Sequence, residues 1–298
     1  MKAAILVDST ASLAKELANH PDVYQVDLKV IYQSGEVLTD TTDPQRLQSF
    51  YQRISREAEL PTTSQPEPAQ FSRVLDEIVA KGYDTVYGIH LSGSVSGTLQ
   101  TAQMFFEEYQ PLLQTYLIDS KGTSFVMEEM VKQALQMIDA KFHPQKIQEN
   151  LEWIANESVI YVMVEDLKNL VKGGRLSLVG AALGSALQIR PIIYFTPEGR
   201  VGVFEKMRTN RKVFRRWQEL VDQAVLDYPD GITVAFAHGD AAREIEEVKA
   251  KIQANHPDLT YRVGYLTPVL GVHGGKGCKG MGIIPQVKID ESLDLSDQ

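Results

Sequence analysis

The chain has 298 residues, 43% hydrophobic and 23% charged, the proportions of a globular protein able to bury a sizeable core. Its formal net charge is −9, which argues against a nucleic-acid grip, because such surfaces carry a basic stripe. Its single cysteine, Cys278, excludes an internal disulfide framework and a cysteine-based zinc site. A reduced, cytoplasmic setting is expected, with no metal and no cofactor. The apolar run AAILV (3–7) is shorter than the roughly 7–15 residues of a signal-peptide core. No run approaches the roughly 18 residues of a membrane span, so stable membrane insertion is not expected.

In chain order, AAILV (3–7) and YQVDLKVIY (24–32) read as strands. QRLQSFYQRISREA (45–58) and PAQFSRVLDEIVAKG (68–82) read as helices, the second opened by prolines as helix starts often are. TVYGIHL (85–91) and TYLIDS (115–120) are strands, each followed by a helical pattern. This alternation predicts βαβ units and a parallel sheet flanked by helices. After a helix over 143–157, VIYVMV (159–164) starts a second series. Two apolar runs around PEG in IRPIIYFTPEGRVGVFEKM (189–207) predict a β-hairpin. A helix (211–228), a strand (231–238), a helix (241–255) and a strand (260–266) follow, a pattern that predicts a mixed sheet. The expected fold is α/β with two α/β domains, 1–157 and 158–290, a tail over 291–298, and a ligand between the domains.

Ligands in parallel α/β sheets bind beyond the carboxyl ends of the strands, so the polar residues there carry the search. Asp8, Ser9 and Thr10 follow the first strand and read as a helix cap or as site lining. LPTTSQPEPAQF (60–71) holds two threonines and a serine between prolines, for capping, for ligand binding, or for both. GIHLSGSVSGTLQTA (88–102) is not a lipase-type elbow, because Gly93-Ser94-Val95-Ser96-Gly97 has the serine out of register, and it lacks the Gly-Lys of a phosphate loop. What remains is a helix start with free N–H groups and hydroxyls, either a Ser/Thr cap with a glycine turn or, because three serines exceed what a cap needs, a site for one small anion such as a carboxylate. Gly173 and Gly174 read as a helix stop, followed by Arg175, which either neighbours the helix's negative end or reaches an anion. The glycine-rich loop expected over GVHGGKGCKGMG (271–282) contains G-x-G-x-x-G, but only 18 residues follow Gly280, too few for the βαβ unit of roughly 30 that dinucleotide binding needs. His273, flanked by glycines, is a ligand-binding candidate.

Taken in order, DST (8–10), TSQP (63–66), SGSVSGT (92–98), DS (119–120), LVKGGRLS (170–177) and GVHGGKG (271–277) resemble the motifs of DegV-family proteins over about residues 3–285. The resemblance implies a bacterial fatty-acid-binding protein of two α/β domains, without chemistry of its own, holding a long-chain fatty acid between them. Several members present the acyl carboxylate to a separate ATP-dependent fatty acid kinase subunit, which makes the acyl phosphate. By the same resemblance Thr63, Ser96 and His273 bind the carboxylate, and Arg175, Ser64, Gly97 and Thr98 support the site or the docking of the partner. The family's G-P-G stands here as Gly275-Lys276-Gly277, and its serine pair as Ser92-Gly93. Two other readings are a serine hydrolase of acyl esters using Ser94 or Ser96 with His273, and a regulatory protein docking through the basic helix face of RTNRKVFRR (208–216).

Overall fold

A computed structural model describes residues 1–57, 59–176 and 190–289. The expected tail over 291–298 and Ser177 of the glycine–arginine motif lie outside the described residues.

The first half is a parallel sheet of β2 (Val23–Val26), β1 (Ala3–Asp8), β6 (Thr85–His90) and β7 (Gln114–Asp119), in that order. Alternate residues of β1 feed two cores. Ala4 and Leu6 pack under α3 (Pro68–Ala80) and α4 (Thr98–Tyr109), whereas Ile5 and Val7 pack against α5 (Phe125–Asp139) and α6 (Pro144–Glu157). A strand buried on both faces is the habit of parallel sheets.

After α6 the chain enters a six-stranded mixed sheet, ordered β10 (Val201–Met207), β9 (Arg190–Phe195), β8 (Val159–Met163), β13 (Lys279–Pro285), β11 (Ile232–His238), β12 (Thr260–Tyr265). The PEG hairpin is present, with Phe195 opposite Val201. One face of this sheet packs on α8 (Asn210–Asp227) and α9 (Ala242–Asn255) through Val234, Phe236, Met281 and Ile283. The other face turns to the first half, where α5 lies between the two sheets; Ala235, Ala237 and Ile284 share one core with α5 and α6.

Three expectations change. YQVDLKVIY is two strands, not one: β2 ends at Val26, and β3 (Lys29–Ile31) belongs to a separate three-stranded antiparallel sheet with β4 (Val37–Thr39) and β5 (Thr62–Ser64). Leu28 marks the change, because its amide turns away to donate to Ser9 Oγ. The threonines and serine of TTSQP do not cap α3, whose N-cap, Glu67, makes no side-chain cap bond; they form β5. The glycine-rich stretch 271–282 is not one loop. It ends the helix α10 (Pro268–Gly274), turns through Gly275 and Gly277 at positive φ, and becomes β13. Two further helices are α2 (Pro44–Ile54) and α7 (Lys168–Lys172).

Candidate functional site

The point where the strand order of the parallel sheet reverses lies beyond β1 and β6, the expected place for a ligand. Here it is filled by a brace. Asp8, fully buried, accepts from Thr10 N (3.1 Å), Thr10 Oγ1 (2.6 Å), His90 Nδ1 (3.2 Å) and Leu91 N (2.9 Å). Asp119 adds a second prop, accepting from Lys121 N at 2.9 Å and from Gly93 N at 3.4 Å. The DST and DS motifs therefore shape the serine loop after β6.

That loop holds three serines, and they divide their work. Ser92 Oγ donates to Gly199 O (2.9 Å) and Ser94 Oγ to Glu198 O (2.6 Å), so both fasten the tip of the β9–β10 hairpin. Gly199 permits the approach: a Cβ there would lie 2.1 Å from Ser92 Oγ. Ser96 Oγ pairs with Thr98 Oγ1 at 2.9 Å and accepts from Thr98 N at 3.3 Å, at the start of α4. Gly97 lets the neighbouring loop in, since its Cβ would meet Gln65 Oε1 at 2.5 Å. The SGT and TSQ motifs thereby touch.

Ser96, Thr63, Ser64, Arg175 and His273 all line one cavity, whose empty space is about 1160 Å³ with its mouth included. Thr63 Oγ1 and His273 Nε2 are 3.0 Å apart. His273 leans on α7, where a Cβ at Gly173 would sit 2.5 Å from Nδ1. That Nδ1 is buried and has no partner among the described residues. Burial, aided by the Arg175 charge, lowers the His273 pKa to about 4, so the ring is neutral near pH 7. Arg175 is half-buried and donates to two backbone carbonyls, Val95 O (3.1 Å) and Gly173 O (2.5 Å). No acidic side chain pairs with it among the described residues, and burial lowers its pKa. A desolvated cation without a counter-charge favours an incoming anion. Thr98 is fully buried behind Ser96.

The helix that carries His273 is held from elsewhere in the chain. Asp40 Oδ1 accepts from Val269 N (2.9 Å) in the first turn of α10, and Asp40 Oδ2 from Ser9 Oγ (3.0 Å). The carboxyl caps a helix distant in sequence, and burial lifts its pKa to about 7. Nothing in the composition of residues 36–43 signals this role.

The rest of the cavity is apolar, and sequence reasoning missed its floor. On the inward face of the six-stranded sheet Gly280 lies opposite Ala237, and Gly282 opposite Ala235, with Val162 and Ile160 beside them on β8. Small residues on two adjacent strands leave a trough. Its signal was the period-two spacing of AFA (235–237) and GMG (280–282). Cys278 closes the trough near His273, its thiol pushed up to about 12 by burial. The hydrolase reading finds no geometry here: Ser94 faces the hairpin, Ser96 pairs with Thr98, and neither is hydrogen-bonded to His273.

Comparison with known proteins identifies the family and the fold. A DegV domain-containing protein of Streptococcus pyogenes serotype M6 is 32% identical over 292 residues, covering 96% of this chain and all of the relative. One from Listeria monocytogenes is 32% identical over 285 residues, covering 94% of this chain and 97% of its own. Among solved structures, a fatty acid binding DegV family protein from Streptococcus agalactiae superimposes with a TM-score of 0.87 at 30% identity, over 96% of this chain and 100% of that one. DegV from Bacillus subtilis, described as a fatty acid binding protein, gives 0.86 at 29% identity, over the same shares. Residues 2–286 match the family described as "Uncharacterised protein, DegV family", and with that span, these relatives and the shared fold the chain belongs to the DegV family.

Proposed function

We propose that this protein binds one long-chain fatty acid, with the carboxylate at Thr63, Ser96 and His273 and the acyl chain along the Gly280–Gly282 trough. The observation that carries the reading is the cavity itself: apolar over most of its lining, with two hydroxyls, a neutral histidine and a guanidinium that has no acidic partner among the described residues gathered at one end. Arg175 supplies the counter-charge, Ser64 and Thr98 buttress the two hydroxyls, and Gly97 keeps the two loops in contact. Each buried CH₂ contributes about 0.8 kcal/mol, so a sixteen-carbon chain gains on the order of 10 kcal/mol before ordering costs. The chain supplies affinity and the polar end supplies orientation. The fatty-acid-binding neighbours support the same reading.

In this proposal the ligand lies between two domains, residues 1–157 and 158–290, in a cytoplasmic protein that performs no chemistry on it. A separate ATP-dependent kinase subunit phosphorylates the presented carboxylate. Mass spectrometry of the native and then the denatured protein tests the binding step. A mass increment matching a C14–C18 fatty acid, lost on denaturation and absent from the Thr63→Ala/Ser96→Ala double variant, is expected. A wild-type protein that stays empty when incubated with fatty acids overturns the reading, and a lipid-loaded double variant overturns the site. Acyl phosphate that forms only when loaded protein, ATP and a kinase subunit are combined tests the second step.

A further inference from the structure

The trough does not stay open across the whole sheet. Gly264 on β12 continues the row of small residues, lying beside Ala237 as Gly280 does on the other side. Over Gly264, however, stands the ring of Phe125: a Cβ at position 264 would be 2.7 Å from Phe125 Cζ. Phe125 lines the cavity and is 4% exposed. Its ring is held from behind. The Arg262 guanidinium lies 4.6 Å from the ring centroid and pairs through two nitrogens with both oxygens of Glu128, one turn further along α5. Glu128 Oε2 also accepts from Ala14 N at 2.6 Å, which fixes the clamp to the first half of the chain. The preceding residue, Ser124, has φ 58° and ψ −137°. An L-residue occupies such a conformation only where its surroundings impose it, and here it delivers Phe125 to the cavity.

The polar end and this ring stand beside different strands of the sheet. His273 packs on Gly173, which follows β8, whereas Gly264 lies three strands away in the order β8-β13-β11-β12. Resting on the fatty-acid reading, we infer that Phe125 is the end-stop of the acyl trough, seated on Gly264 and clamped by Arg262 and Glu128, and that it sets the longest chain the protein accepts.

The test measures dissociation constants for saturated fatty acids from C12 to C20 on the intact protein. Phe125→Ala raises the affinity for C20 relative to C14 at least tenfold, and Phe125→Leu raises the same ratio by less. Gly264→Ala, whose methyl drives the ring inward, lowers it. An unchanged C20-to-C14 ratio in a folded Phe125→Ala, or in Phe125→Leu should the alanine variant not fold, overturns the inference, even where overall affinity falls. A wild-type protein that binds no fatty acid overturns instead the function on which this rests.

Discussion

Gly88 and Gly280 are both glycines inside buried strands, one in each large sheet, and they are there for opposite reasons. At Gly88 in β6 a Cβ would lie 2.5 Å from Phe106 Cζ and 2.9 Å from Leu117 Cδ1. The missing side chain is replaced by protein. At Gly280 in β13 the nearest atoms to a Cβ would be at 3.8 Å, and the space beyond is the trough. Among the described residues no side chain takes the place of the missing one. A strand glycine marks either a close neighbour or a ligand's approach, and only packing tells which. The same division runs through the six-stranded sheet, where Phe236 and Met281 fill the helical face while their neighbours Ala237 and Gly280 carry little or no side chain on the inward face.

The largest effects should separate these two kinds of site. Phe236→Ala opens a cavity in the helical face and is expected to cost about 3–5 kcal/mol, with the affinity of the folded fraction for a fatty acid retained. Gly280→Leu should do the reverse. Three or four displaced methylenes at about 0.8 kcal/mol each weaken acyl binding roughly a hundredfold, while the melting temperature stays level or rises. Gly88→Ala overpacks the parallel sheet and should cost about 1–3 kcal/mol without touching affinity. Chemical denaturation beside a binding titration reads all three. A Gly280→Leu protein that binds as wild type would remove the trough from the ligand's path.

Alternation of apolar runs and helical patterns made both large sheets legible, because periods of 2 and 3.6 register burial directly. The small three-stranded sheet was not, because YQVDLKVIY keeps its apolar character through the break after Val26. Thr63, Ser96, Arg175 and His273 stood out as polar residues in glycine- or proline-flanked stretches, and the structure gathers them around one cavity. Asp40 was invisible, since its partners Ser9 and Val269 come from opposite ends of the chain. The count of serines after β6 misled: hydroxyls beyond what a cap needs were credited to a ligand, yet Ser92 and Ser94 hold the hairpin.

The polar end can be sharpened by pH. Asp40, raised to about 7 from 3.8, stays protonated in the fold while the unfolded chain ionises. Its contribution is complete below about pH 4 and is lost as pH rises to 7. His273, lowered from 6.5 to about 4, acts in the opposite sense: its contribution is present above 6.5 and is lost as pH falls towards 4. That shift corresponds to about 3 kcal/mol, and Asp40 gives an effect of comparable size and contrary slope. The two largely offset each other in the ligand-free wild type. Asp40→Asn keeps an acceptor for Val269 N, so its stability relative to wild type should climb between pH 4 and 7. The relative stability of His273→Gln should be greatest near pH 4 and decline to 6.5. Parallel curves for variants and wild type would show that neither group titrates as its burial implies.

The smallest effect is expected at a third kind of glycine site. Gly275 and Gly277 have φ of 76° and 83°, so they are needed for the turn itself, and Gly277 further lies against Glu165, whose Cγ would be 2.7 Å from a Cβ. Between them stands Lys276, whose ammonium reaches Asp240 at 3.0 Å on the surface. Exposed pairs contribute about 0–1 kcal/mol. Lys276→Ala should therefore shift stability by less than about 1 kcal/mol and leave fatty-acid affinity unchanged, because the side chain pairs with Asp240 and does not line the cavity. Gly277→Ala, which forces a Cβ into both the left-handed backbone and Glu165, should cost more than Lys276→Ala in the same thermal scan. If the order were reversed, the lysine rather than the glycines would hold the turn between the His273 helix and β13.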